Sequence, residues 1–180
     1  MAYHLFKPDS SFLSLIKDYQ DSFKRNNETN DGTMRLSEYD NLEAWLAELA
    51  LFENEAYLLE GFCNSYQYAY GDENMIVGMI NIRTNIERSP FLRMYGGHIG
   101  YAIRKELRGK GYGKRMLEEL LCLASDEFGL KEVMVTCLKG NTASRRLIES
   151  VGGKYLDMIY FNPEKDDVLR YIIELSALKK

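Results

Sequence analysis

Residues 98–113 read HIGYAIRKELRGKGYG, and this stretch decides the fold. Its first part, His98 to Arg104, carries β-branched and aromatic residues in a strand-like run. Its second part, Arg108 to Gly113, alternates glycine with other residues, as a tight turn does. Beyond it Met116, Leu117, Leu120, Leu121, Ala124 and Phe128 form one apolar stripe at helical spacing, and Gly129 follows as a stop. Lys131 to Leu138 (KEVMVTCL) then reads as a buried strand. Strand, glycine turn, helix and strand in that order predict a parallel pair joined by a right-handed crossover.

A glycine turn that opens a helix also has a chemical use. Several backbone N–H groups converge on one spot, and the positive end of the helix dipole adds to them. Such a spot suits a phosphate. Glycine lets the backbone approach the oxygens and adopt positive φ, while Arg108, Lys110, Lys114 and Arg115 can supply charge.

Working outward, YQYAY and MIVGMINIR flank Gly71-Asp72-Glu73-Asn74, which predicts a hairpin over Tyr66 to Arg83. Before it lie a short strand at Tyr3 to Lys7 and an amphipathic helix marked by Phe12, Leu15, Ile16, Tyr19 and Phe23, with Asp9 or Ser10 as its cap. A polar loop from Asn26 to Thr33 and a shorter helix through Leu42, Trp45, Leu46 and Leu49 complete the first half. After the central unit, Asn141 to Val151 reads as a helix ended by Gly152-Gly153, and LDMIYF and VLRYIIEL as closing strands around Asn162-Pro163. Helices interspersed with strands, and hairpins at both ends, predict an α/β (α+β) fold on a mixed sheet. With no repeat or low-complexity tract, residues 1–180 read as a single domain.

Composition removes several function classes. A 180-residue chain with 46% hydrophobic content can bury a full core without staples. Its formal net charge of -4 offers no global field for nucleic-acid phosphates. Cys63, Cys122 and Cys137 are odd in number and lack C-x-x-C spacing, so neither a disulfide framework nor a cysteine zinc site is expected. No apolar run approaches the ~20 residues that span a bilayer, and MAYHLFKPDSSF does not resemble a signal peptide. The expectation is a soluble cytoplasmic protein without nucleic-acid or membrane partners and without a metal.

Two familiar phosphate loops do not fit. A Walker loop needs Ser or Thr after Gly113-Lys114, where Arg115 stands, and a glycine at 108. A dinucleotide fingerprint needs G-x-G-x-x-G and an acidic end to the next strand, whereas this chain has G-x-G-x-G and Thr136-Cys137-Leu138. Arg108, Gly111 and Gly113 instead match R/Q-x-x-G-x-G/A, the signature of the GNAT superfamily of N-acetyltransferases. Ile103 occupies the aliphatic position five residues earlier, and Lys105 replaces a proline common in that family. Asn141, Ser144, Leu147 and Gly152 follow a second block, N-x-x-A/S-x-x-L and a helix-ending glycine. The segments IVGMINIR and GGHIGYAIRKELRGKGYG further resemble one bacterial subgroup of these enzymes. The resemblance covers roughly Met75 to Tyr160.

The resemblance implies a mixed, mostly antiparallel sheet of about six to seven strands with about four helices, its central parallel strands splayed at an acetyl-CoA site. It implies that CoA pyrophosphate lies on the amides of Arg108, Gly109, Lys110, Gly111, Tyr112, Gly113 and Lys114. Pantetheine would pair along Ala102, Ile103 and Arg104, the Ile103 N–H would polarise the thioester carbonyl, Asn141 would contact the pantetheine arm or order the neighbouring loop, and Ser144 would complete the cofactor set. The expected activity is acetyl transfer to a primary amine, most simply of a small molecule, by direct transfer in a ternary complex. A protein acceptor, or a CoA-binding module with little turnover, are the alternatives. A homodimer is the assembly allowed for.

The proton transfers are less well marked. Many relatives protonate the leaving thiolate with a tyrosine directly after Leu147, where this chain has Ile148. Tyr155 and Tyr160 are the candidate substitutes. His98 is the candidate base, its structural alternative being a hydrogen-bonded histidine beneath the site. Asn81, Arg83 and Tyr101 are candidates for holding the acceptor. Trp45, Tyr66, Tyr68 and Tyr70 could line its pocket or pack a core.

Overall fold

The computed structural model describes residues 3–161 and 166–178. In chain order its elements are β1 (His4–Phe6), α1 (Leu13–Asn26), α2 (Leu42–Glu53), β2 (Ser65–Gly71), β3 (Ile76–Arg83) and β4 (Ile99–Ile103). They continue with α3 (Tyr112–Asp126), β5 (Glu132–Leu138), α4 (Thr142–Ser150), β6 (Lys154–Phe161) and β7 (Asp166–Glu174). The strands form one sheet in the order β1-β2-β3-β4-β5-β7-β6, antiparallel throughout except for β4 beside β5.

The predicted hairpin forms as its turn chemistry requires. Asp72 Oδ1 accepts the N–H groups of Asn74 and Met75 at 2.9 and 3.0 Å, and Asp72 N–H donates to Met75 O. The C-terminal pair departs from a simple meander. Strand β7 inserts between β5 and β6, which leaves β6 at the sheet edge. The turn around Asn162-Pro163 lies outside the described residues.

Two cores clothe the sheet. On one face Met116, Leu117, Leu120, Leu121 and Ala124 of α3, all inaccessible to solvent, pack with Ile148 of α4 on Val77, Ile80, Val133 and Val135. Each of the larger α3 side chains stabilises the fold by about 1.5–3 kcal/mol relative to exposure. On the other face Ile16, Tyr19 and Phe23 of α1 and Trp45 and Leu49 of α2 pack on Ala69 and Met79. Trp45, Tyr68 and Tyr70 are therefore core residues, and Tyr66 is half-buried against Phe128. Alternation along β3 sends Ile80 and Ile82 towards α3 and places Asn81 and Arg83 with Met79 on the α1–α2 face.

The parallel pair is brief. Ile99 opposite Val135 is the single bridge between β4 and β5, while β4 stays paired with β3 as far as Ile103. Arg104 explains why the strand end leans that way. Its N–H donates to Val77 O at 3.0 Å, its Nε to Ile76 O at 2.6 Å and its Nη2 to Asp18 at 2.7 Å, with the guanidinium 5.6 Å from the Tyr19 ring centre. The buried arginine ties the end of β4 to β3 and α1, and the cleft opens on its other side.

Candidate active site

A cavity of about 810 Å³ opens where β4 and β5 part. Tyr101, Ala102 and Ile103 line it from β4, Gly111, Gly113 and Lys114 from the start of α3, and Asn141, Ser144 and Leu147 from α4. No side chain caps the N-terminus of α3. The first intrahelical bond runs from Arg115 N–H to Gly111 O at 3.3 Å, so the amides of Tyr112, Gly113 and Lys114 have no acceptor within the helix. Gly111 stands at φ +84° with open space where a side chain would project. The turn thus presents amides and a helix dipole to the cavity, which suits a phosphate. In contrast, α4 is capped: Asn141 Oδ1 accepts the Ser144 N–H at 3.0 Å, leaving the Asn141 Nδ2 donor for the cleft.

Several residues named from sequence have other occupations. Arg108 lines the cavity, but its guanidinium holds Glu28 through two bonds of 3.1 and 2.6 Å and gives Nε to Ile103 O at 2.9 Å. It fastens the loop after α1 to the strand rather than standing ready for phosphate, and it keeps the Glu28 carboxyl below its ordinary pKa. The Arg104 side chain lies in the strut described above, so only its place in the strand, not its charge, bears on the cleft. Lys110 and Tyr112 are not among the lining side chains; the Tyr112 ring sits 5.4 Å from that of Tyr3. Gly109, at φ +73°, does line the cleft.

The catalytic candidates fare differently. His98 Nδ1 accepts the Met134 N–H at 2.9 Å, and its own N–H donates to Met134 O at 2.8 Å. Burial lowers its pKa, and its side chain lines neither large cavity. His98 thus makes the structural hydrogen bonds of the alternative reading, and its ring stands outside both cavities. Tyr155 and Tyr160 are exposed on edge strand β6, separated from β5 by β7, and neither reaches the cleft. Ile148 is fully buried in the core under α4. What the sequence reading missed is a meeting of two hydroxyls at the cleft wall: Tyr101 Oη and Ser144 Oγ lie 2.7 Å apart. Burial raises the Tyr101 phenol to about 12. Tyr101 therefore lines this cleft and not the cavity that Asn81 and Arg83 line.

That second cavity, of about 590 Å³, lies on the α1–α2 face and is lined by Asn81 and Arg83. Thr29 and Asp31 line both cavities. The loop carrying them presses on β4: a Cβ at Gly32 would lie 2.1 Å from Gly100 C and Tyr101 N. Trp45 Nε1 pins this loop through Thr33 O and Met34 O at 3.1 and 3.2 Å. From sequence, residues 26–33 read only as a polar loop, and no local signal placed them between two cavities. Among the described residues no group of three or more His, Cys, Asp or Glu side chains is placed to hold a metal ion, and no helix is long and apolar enough to cross a membrane.

Comparison with known proteins finds acetyltransferases. YdaF of Bacillus subtilis is 35% identical over 86 residues, 46% of this chain and 45% of that protein. The L-2,4-diaminobutyric acid acetyltransferase of Streptomyces avermitilis is 30% identical over 109 residues, 59% of each chain. The matches thus span about half the length of these curated relatives. Among solved structures, the ribosomal L7/L12 α-N-protein acetyltransferase RimL in complex with coenzyme A superposes with a TM-score of 0.71 over 98% of this chain and 96% of its own, at 14% identity. At that identity the likeness concerns the fold. The model of the acetyltransferase (GNAT) domain matches residues 16–154, most of the length and both sides of the cleft. The chain belongs to the GNAT acetyltransferase family.

Proposed function

We propose that this protein is an acetyl-CoA-dependent N-acetyltransferase that passes the acetyl group directly to a primary amine of a small molecule in a ternary complex. The observation that carries the reading is the pair of cavities meeting at Thr29 and Asp31, one built on an uncapped helix N-terminus and the other rich in polar side chains. Direct transfer needs the two substrates on either side of one reacting carbon. The amine forms a C–N bond to the thioester carbonyl, the C–S bond breaks, and the thiolate takes a proton.

The chain's own groups can serve each need. The uncapped amides of α3 suit the pyrophosphate, and the Ile103 N–H suits the developing oxyanion. Arg108, holding Ile103 O and Glu28, fixes that strand edge and the neighbouring loop. With the family's usual tyrosine absent, the Tyr101–Ser144 pair at the cleft wall can donate the thiolate's proton. A small acceptor suits a cavity of about 590 Å³, and one relative is named for a diamino acid, although RimL is named for a protein N-terminus.

Release of CoA thiol from acetyl-CoA across a panel of amines tests the reading. Amine-dependent release with acetylated product is the expected result. Tight acetyl-CoA binding with no release for any small amine or peptide would leave a binding module instead.

A further inference from the structure

The second cavity contains hydrogen-bond donors that find no acceptor among the described residues. Asn81 is only 1% exposed, and its Oδ1 accepts the Gly100 N–H at 3.1 Å, which fixes the amide orientation. Its Nδ2 is left buried with no partner, and so is the Nδ2 of Asn30, which is 5% exposed. Arg83 gives Nη1 to the carbonyls of Gly96 and Gly97 at 3.2 and 3.3 Å, yet among the described residues no carboxylate pairs with its guanidinium. All three residues line the same cavity. Arg83 Nη2 and Asn81 Oδ1 come within 3.0 and 3.2 Å of the point above Gly100 where a side chain would start, so cation and amide share one end.

Arg83 is half-buried, and a partly desolvated cation without a counter-ion is costly; buried donors without acceptors add to that cost. Burial depresses the Arg83 pKa, in keeping with poor solvation of its charge. Water at this end would satisfy single donors but would not neutralise the guanidinium. A carboxylate, which only accepts and carries the opposite charge, does both.

We propose that the Arg83–Asn81 end of this cavity is a carboxylate subsite, and that the acceptor is an amine carrying a carboxylate, bound with its carboxylate at Arg83 and its amine towards Asp31. The fate of that amine rests on the acetyltransferase reading above; the subsite does not. Polarity along the cavity supports the orientation, because Asp31 borders the cofactor cleft and no cation pairs with it among the described residues. Length supports a distal amine. From Gly100, beside Arg83, to Ile103 in the cleft is three residues of strand, roughly 10 Å at about 3.3 Å per residue. An α-amine adjacent to its own carboxylate does not span this, whereas the side-chain amine of a diamino acid approaches it.

Matched pairs provide the test: L-lysine, lysinamide and cadaverine, and L-ornithine against putrescine. kcat/KM would be measured with acetyl-CoA, and calorimetric binding of L-lysine and cadaverine to the CoA-loaded protein. The expected result is a preference of roughly 10- to 100-fold for the carboxylate-bearing member in both measurements, the worth of a hydrogen-bonded charge pair. Arg83→Gln should abolish the preference. Because Arg83 also supports the Gly96–Gly97 turn, Asn81→Asp is the second variant: it keeps an acceptor for the Gly100 N–H, replaces the Nδ2 donor with an oxygen, and should erase or invert the preference. Equal use of the diamines and amino acids, no measurable binding of L-lysine, or a preference unchanged in both variants would overturn the subsite. Carboxylate-dependent binding without acetylation of any amine would leave the subsite standing and remove the enzymatic reading, whereas rapid acetylation of cadaverine and lysine alike would do the reverse.

Discussion

Tyr101 and Ser144 share a hydrogen bond at the cleft wall, and two substitutions separate a chemical role from a packing role. The phenol, raised to about 12 by burial, stays protonated at neutral pH, so it remains a donor throughout the range in which amines are free to attack. Tyr101→Phe and Ser144→Ala should each lower kcat by roughly 100-fold or more, in line with loss of a positioned acid, with little change in acetyl-CoA affinity. An acetyl donor with a better leaving group should rescue the rate; no rescue would point to packing alone. His98 makes the opposite prediction. Burial lowers its folded pKa, so the unfolded chain takes up a proton near pH 6.5 that the folded chain refuses. Its contribution to stability is full above that pH and is lost as pH falls below it towards the folded value. His98→Asn, which keeps an acceptor near the Nδ1 position, should flatten the stability curve just below pH 6.5 and leave the pH profile of kcat unchanged. A displaced kcat limb with unaltered stability would restore a catalytic histidine.

The glycine turn and helix α3 were legible in the sequence because strand alternation, the alternating glycines and the apolar stripe agree with one another. Each is a local signal. The strut formed by Arg104 was not legible, since the partners of its side chain, Ile76 and Asp18, lie 28 and 86 residues away and nothing in IGYAIR marks which arginine turns inward. The same limit hid the Tyr101–Ser144 meeting, 43 residues apart, and the assignment of Arg108 to Glu28, 80 residues apart. The distance of Tyr155 and Tyr160 from the cleft was hidden for a related reason: strand periodicity gives the face of a residue but not the position of its strand, and β7 takes the inner place. At the turn itself, Gly111→Val places a β-branched residue at φ +84°, which costs about 1–2 kcal/mol of backbone strain. It also puts side-chain atoms into the cavity before the amides of α3. The acetyl-CoA dissociation constant should rise by at least tenfold, roughly the loss of one charged hydrogen bond, as read by calorimetry on protein whose folding is checked by its melting curve. An unchanged affinity would refute the phosphate-turn assignment.

At the scale of the molecule, the cofactor cleft touches both layers. Its lining comes from α3 and α4 on one face, from β4 in the sheet, and from the loop after α1 that Arg108 holds through Glu28. Asp18 in α1 is bonded through Arg104 to the same strand, so the elements around the cleft are joined into one bonded set across the sheet. A ligand that fills this space therefore binds the folded state and finds no equivalent in the unfolded chain. By mass action, acetyl-CoA at a hundred times its dissociation constant should add about 2.7 kcal/mol to the stability. The increase should track concentration and appear in the single melting transition rather than in a separate local one. ATP and NAD share phosphate groups but lack the pantetheine arm proposed to lie along β4, so they should raise the melting temperature far less at equal concentration. An equal rise with ATP or NAD would reduce the cleft to a general phosphate site. No rise with acetyl-CoA would remove the cofactor assignment while leaving the carboxylate subsite at Arg83 to be judged on its own binding.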